Sequence, residues 1–256
     1  MDAMTHEQNY RFDVAGYVII PSVLTTAELA ACNGALDQLG APAGRLRWQG
    51  PVSNPLLALR QHPVLVWYAQ QLCGEKARLD TPLQLVAERT EAEPLQNGGE
   101  WVDWARAYRQ YNGQRFCQGV RVYWALADIN EADGGLVAIQ GSHNSTVEAP
   151  QDLVAGRDEM GLVEQVELQA GDLLLCSESL TRGFRPWQGE GPQRLVECGF
   201  IGRDVRPSAE TMVPDSGEVI PDWVDELDEF QRAILHNPDR LDPPPVVQSD
   251  GEKTWF

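Results

Sequence analysis

The sequence predicts a mainly β fold, a barrel or double-sheet jelly roll with α-helices packed against its outside. Three observations carry this. Two helical patterns come early, before residue 80. Six strand-like runs follow, over residues 83–89, 119–129, 134–141, 163–169, 171–177 and 194–201. The turn clusters among them ("NEADGG", "QAGD", "QGEGPQ") leave no room for crossover helices, so the sheet should be mainly antiparallel.

Taken in order, "GYVIIP" (16–21) is β-branched and stopped by Pro21, which reads as a short first strand. "LTTAELAACNGALDQLG" follows as a helix. Thr25 or Thr26 can cap it, Glu28 sits in its first turn, and Leu29, Cys32, Leu36 and Leu39 recur at helical spacing before Gly40. "HPVLVWYAQQLCG" is the second helix, with Pro63 in its first turn, Gly74 at its end and Leu65, Ala69 and Leu72 on one face. After the strands, "PDWVDELDEFQRAILHNPD" sets Trp223, Leu227, Phe230 and Ile234 on one stripe of a last helix, carboxylates opposite. An extended arm ends the chain. The whole reads as one domain over 1–256, its core spanning about 12–205 and its acidic helix and arm about 216–256.

The 256 residues carry a net charge of −18, with 18 Arg against 2 Lys. Such a chain repels phosphate backbones and anionic membranes, which argues against nucleic-acid and lipid-surface roles. Residues 216–256 alone contribute −7, from 10 acidic and 3 basic side chains. The five cysteines are scattered in apolar runs without a CxxC or Cys/His cluster, so reduced, buried thiols in a cytoplasmic protein are expected. No signal segment or membrane-length apolar run is present, which predicts a soluble protein.

Most motif searches fail. "NGGE" and "GRD" lack the spacing of a phosphate loop, and there is no GxSxG elbow or HExxH. Ser142-His143 in "QGSHNS" reads as a turn histidine bonded to backbone carbonyls rather than a nucleophile–base pair, because adjacent turn residues rarely face each other. His6, His62 and His236 form no cluster in the sequence.

One constellation stands out. "VYWALADINEADGGLVAIQGSH" resembles the phytanoyl-CoA dioxygenase family, whose pattern there is a strand ending in Leu–x–Asp, an acidic turn, Gly–Gly, a strand and Gly–Ser–His. "FDVAGYVIIPSVLTTAELAACNGALDQL" is similar to that family's opening strand and helix. "AGDLLLCSESLTRGFRPW" with "QRLVECGFI" is similar to its closing strands, and "DWVDELDEFQRAIL" to a terminal helix of some bacterial members. The resemblance covers roughly residues 12–236. It implies a double-stranded β-helix (a jelly roll, cupin-like) and a chemistry of oxygenation by Fe(II), 2-oxoglutarate and O₂. The iron would sit on two histidines and a carboxylate, with an arginine clamping the cosubstrate.

Carried over residue by residue, the resemblance puts Gln96 of "PLQNGGEW" at the first histidine, or Asn97 if the register slips by one, with Gly98 where a carboxylate would follow. Asp103 and Glu100 are the acids nearby. The second histidine position, in "SLTRGFRPW", holds Arg182, and Arg194 is the candidate cosubstrate arginine. Amide oxygens are weak ligands for Fe(II), and a guanidinium offers no lone pair. At about 4 Å from a dication a fixed positive charge is repulsive by several kcal/mol at an effective dielectric near 20. No iron is therefore expected at the usual site. Arg182 either fills part of the vacated space, bonded to Glu178, Gln96 or an anionic ligand, or swings out to solvent. Tyr123, Arg121, Trp101, Trp104 and Trp187 are candidates for the pocket mouth, or else ordinary packing. Strand alternation pairs Arg121 with Tyr123 on one face without saying which face is inside.

The expected function is that of an oxygenase-derived protein that binds or acts on a small metabolite without a cofactor. Metal-free cyclisation, isomerisation or another proton transfer would use Arg182, Gln96 and Arg194 to stabilise charge and Tyr123 or Glu178 to move protons. Two alternatives stand beside it. One is an active Fe(II)/2-oxoglutarate dioxygenase with an atypical ligand set such as Asp103 or Glu100 with Asn97. The other is a non-catalytic partner of an oxygenase homologue.

Overall fold

The computed structural model describes residues 4–40, 43–47, 49–91, 93–96, 106–203 and 205, with the backbone of 246–247 and 253–254. The expected tail helix lies outside the described residues.

Helix α1 (His6–Ala15) opens the chain under a capping box of Thr5 with Gln8, and Gly16 closes it in the left-handed conformation. Strand β1 (Tyr17–Ile20) follows, then α2 (Thr26–Leu39), where Thr25 takes the cap and Glu28 returns the bond. After β2 (Gly44–Arg45) come α3 (Asn54–Ala58) and α4 (Pro63–Cys73), the latter almost wholly buried. Strand β3 (Arg78–Leu85) starts five residues earlier than the apolar run suggests, because Arg78 and Asp80 are buried polar residues that hydropathy alone does not count. A hairpin, β4 (Arg109–Tyr111) and β5 (Gln114–Phe116), turns through Asn112-Gly113. The remaining strands are β6 (Gly119–Ala125), β7 (Gly135–Ala138), β8 (Glu164–Gln165), β9 (Leu173–Ser177), β10 (Arg182–Arg185) and β11 (Leu195–Ile201). A short helix, α5 (Gln151–Val154), precedes β8.

Two larger antiparallel sheets form in addition to the β4–β5 hairpin and a two-stranded pair of 246–247 with 253–254. Six strands run in the order β1-β9-β6-β11-β3-β2, and three in the order β10-β7-β8. Alternation sorts the large sheet's side chains. Val120, Val122 and Trp124 of β6, Leu173 and Leu175 of β9, and Val196, Cys198 and Phe200 of β11 pack with the helices in one core. Tyr123, Ala125, Leu174, Cys176 and Leu195 point the other way and meet Leu136 and Ala138 of the small sheet in a second core. No closed barrel forms among the described residues; the core is β-rich, with the helices layered on one face. All five cysteines are buried free thiols. Among the described residues no helix is long and apolar enough to cross a membrane.

Candidate functional site

The face left open by the sequence is now fixed: Arg121 and Tyr123 lie on the inner side of the large sheet. Cross-strand pairing lines up Gln84, Glu197 and Tyr123 in one inward row, and Thr81, Gly199 and Arg121 in the next. Strand β3 slips twice against β11 around Pro82, a residue with no N–H to lose at a bulge. The rows border a cavity of about 480 Å³ between the two sheets, which Arg182 and Gln96 also line.

Arg182 points inward and is only 4% exposed. Its Nε donates to Tyr123 Oη at 3.2 Å, Nη1 to the backbone oxygens of Glu178 (3.3 Å) and Leu180 (3.1 Å), and Nη2 to Glu178 Oε2 at 3.1 Å. Arg121 holds the other carboxylate oxygen of Glu178 at 3.2 Å and reaches Thr81 Oγ1 at 2.9 Å. One carboxylate is thus shared by two guanidiniums. Two glycines make room for it. A Cβ on Gly119 would come within 2.9 Å of Glu178 Cγ, and one on Gly199 within 2.6 Å of Thr81 Oγ1. Around this cluster the charges pair off: Arg106 with Asp80 at 2.6 and 3.2 Å, and Arg89 with Glu93 at 2.8 Å.

Burial on its own would raise the Glu178 carboxyl, but Arg121, Arg182 and Arg106 outweigh it and hold it below the usual carboxylate range. Burial raises the Tyr123 phenol far above its ordinary value, against the opposing pull of Arg182. Tyr123 is therefore a neutral phenol and Glu178 an ion, each fixed by Arg182. Chemically, the arrangement offers fixed positive charge, one phenolic proton and a locked carboxylate.

The structure brings Arg182, Gln96, Tyr123, Glu178 and Arg121 together. Gln96 meets Arg182 through the backbone, N–H to O at 2.7 Å in one direction and 3.1 Å in the other, while its side chain is exposed. Arg194 is not brought to them. It leaves the sheet toward α2, donating to the backbone oxygen and Oδ1 of Asn33 (3.3 and 2.8 Å) and to Asp37. There it borders a separate cavity of about 500 Å³ beside Gly40. Trp187 stands outside the inter-sheet lining, its Nε1 bonded to the Gly191 oxygen at 2.8 Å. Asn97, Glu100, Trp101, Asp103 and Trp104 lie outside the described residues. Ser142 and His143 do not form a reactive pair. Ser142 Oγ accepts from the Thr181 N–H, and the buried His143 ring contacts the Asp13 backbone oxygen and Asn144. Sequence reasoning missed Asp80, Thr81, Arg106 and Glu197. The available signal was polar residues set inside apolar strand runs, Glu197 in "VEC" and Asp80, Thr81 and Gln84 in "LDTPLQ"; Arg106 had none.

The described donors do not suit an iron ion. Arg182 has no lone pair, and Asp80 and Glu178 are engaged by guanidiniums. No group of three His, Cys, Asp or Glu capable of holding a metal occurs among the described residues.

Comparison with solved structures gives HygX from Streptomyces hygroscopicus, with nickel and 2-oxoglutarate bound, at 23% identity and a TM-score of 0.66, covering 79% of this chain and 88% of that one. The epimerase SnoN in complex with Fe³⁺, alpha ketoglutarate and nogalamycin RO aligns at 19% identity and TM-score 0.57, covering 83% and 91%. AviO1 from Streptomyces viridochromogenes Tue57 aligns at 17% identity and TM-score 0.56, covering 81% and 99%. These likenesses are of fold, with a β-rich core akin to that of jelly-roll relatives. Among curated protein sequences no match was found. The family model for phytanoyl-CoA dioxygenase (PhyH) matches residues 12–181, ending one residue before Arg182, and the chain belongs to that family, within the Fe(II)/2-oxoglutarate oxygenase superfamily.

Proposed function

We propose that this protein binds and transforms a small metabolite in the inter-sheet cavity without the family's iron, on a double-stranded β-helix scaffold. The observation that carries the reading is Arg182, a buried guanidinium with four hydrogen bonds of its own, where the sequence resemblance puts the family's second histidine. A side chain so held leaves neither a lone pair nor a neutral environment for a metal. In support of a small-molecule ligand, HygX has been solved with hygromycin B and SnoN with nogalamycin RO.

The chemistry suited to these groups is proton transfer. Arg121 and Arg182 stabilise negative charge that develops on the substrate, in a cavity where such charge is poorly screened. Tyr123 supplies a proton near that charge. In an isomerisation or an additive cyclisation Tyr123 gives its phenolic proton to one substrate atom and recovers a proton from another, so the step balances without an oxidant.

The test is Fe(II) and 2-oxoglutarate binding by the purified protein, reconstituted without oxygen, beside a Gln96→His/Arg182→His double variant. The native protein should take up no stoichiometric iron and the double variant should gain it. Stoichiometric iron with 2-oxoglutarate consumption in the native protein would return it to the oxygenases, and with them the atypical set of Asp103, Glu100 and Asn97.

A further inference from the structure

Counting charge around the cavity leaves two groups unmatched. Arg106 is neutralised by Asp80 and Arg89 by Glu93. Among the described residues Arg121 and Arg182 share the single carboxylate of Glu178, which leaves one positive charge in surplus there. Glu197 is the reverse case. One of its oxygens accepts from Gln84 Nε2 at 2.7 Å, and it forms no ion pair among the described residues. Each of these groups lines the same cavity except Glu178, which lies behind Arg121 and Arg182.

Their spacing follows from the strand. The Arg121 guanidinium lies over Gly199, with Nη1 3.7 Å from where a Cβ would stand. Glu197 is the neighbouring inward side chain on the same strand, two residues away or roughly 6.6 Å. No ion pair joins the two. Arg121 also keeps an Nε–H that no described group accepts. A carboxylate and an ammonium joined through one or two carbon atoms suit charged groups at neighbouring inward positions of one strand.

Resting on the reading of this cavity as the ligand site, we infer that its ligand is a zwitterionic amino acid. Its carboxylate lies on the Arg121–Arg182 surplus and its ammonium on Glu197. A plain carboxylic acid would leave Glu197 unpaired, and a plain amine would leave the guanidinium surplus unpaired. Either costs more than solvation returns in a half-buried cavity. Phe184 and Pro94 give the remainder of the wall an apolar surface for the ligand's side chain.

The experiment uses the full chain treated with chelator. The common α-amino acids and β-alanine are screened by saturation-transfer NMR at millimolar concentration. The tightest binder is then titrated beside its des-amino acid and its decarboxylated amine. The amino acid should bind at least about tenfold tighter than either fragment, the effect of one charge-assisted hydrogen bond. Glu197→Gln, which preserves an oxygen for Gln84, should bring the amino acid down to the level of the acid while the acid is unaffected, and Glu197→Asp should restore part of the preference. No binding across the panel, equal binding of the acid, or a preference that survives Glu197→Gln overturns the inference. Iron uptake is scored separately in metal-loaded samples, so a failed amino-acid screen with no iron uptake leaves the metal-free reading standing, and iron uptake overturns that reading whatever the screen shows.

Discussion

Arg182 and Glu178 are a case where deleting both charges should cost less than deleting one. Each ion has lost most of its water, and each is tolerable only because the other and its hydrogen-bond partners replace that water. Glu178→Gln strands two guanidiniums in the interior and should lower unfolding free energy by about 3–5 kcal/mol. Adding Arg182→Met removes one of the stranded charges and should recover part of that loss, so the double variant is more stable than Glu178→Gln alone. Urea midpoints for the four members of the cycle check this, and a double variant less stable than Glu178→Gln would show that Arg182 is held by its bonds to Tyr123 and the backbone instead. The ion pair's pH dependence follows from the lowered carboxyl. Its contribution is complete above the unfolded carboxyl's pKa and is lost as pH falls through the lower folded value.

Strand β11 shows how an element positions such residues. Cys198 and Phe200 face the helices while Glu197 and Gly199 face the cavity, and the missing side chain at Gly199 lets Arg121 cross to Thr81. Gly199→Ala drives a Cβ to 2.6 Å from Thr81 Oγ1 and should cost about 1–3 kcal/mol, the usual range for overpacking. Thr81→Ala removes the clashing oxygen, so Gly199→Ala/Thr81→Ala should be less destabilised than the sum of the two singles, as read from thermal midpoints. The strand itself is plain in the sequence, and so is the alternation of Arg121 with Tyr123. The inward direction is not, because helices cover one face of the sheet and a second sheet the other, and two buried faces leave no apolar–polar contrast to read. The resemblance puts a histidine at the position of Arg182, but the partners of Arg182 are set by a tight turn from β9 into β10, which no motif announces. Arg194, which the resemblance makes the cosubstrate arginine, turns toward α2, where Asn33 and Asp37 are its partners. Two features absent from the expected helices and strands do carry local signals. The Thr5–Gln8 capping box announces α1, and Asn112-Gly113 announces the β4–β5 hairpin.

At the scale of the molecule, pH acts through the buried His143 and the partly buried His62 as well as through the net charge of −18. Burial lowers His143, against the Asp13 backbone oxygen that would raise it, and burial lowers His62, against the Glu28 carboxylate 3.8 Å away. Both rings are therefore neutral in the folded protein at a pH where the unfolded chain binds protons. Between the folded and unfolded values the unfolded state carries more protons, so stability falls as pH drops below about 6.5. At pH 5.5 the loss is at most about 1.4 kcal/mol per histidine, since a tenfold preference for the protonated unfolded form sets the ceiling. Surface carboxylates act in the opposite direction, because partial protonation relieves their mutual repulsion as the solution is acidified. Salt separates the two. Screening at high ionic strength weakens repulsion among exposed charges and leaves the desolvation of a buried ring nearly untouched. Urea unfolding at pH 7.5 and 5.5, in low and high salt, should therefore show an acid-side loss that is as large or larger in high salt. His143→Asn should remove part of it. A loss that vanishes in high salt would place the pH dependence on the surface instead of on His62 and His143.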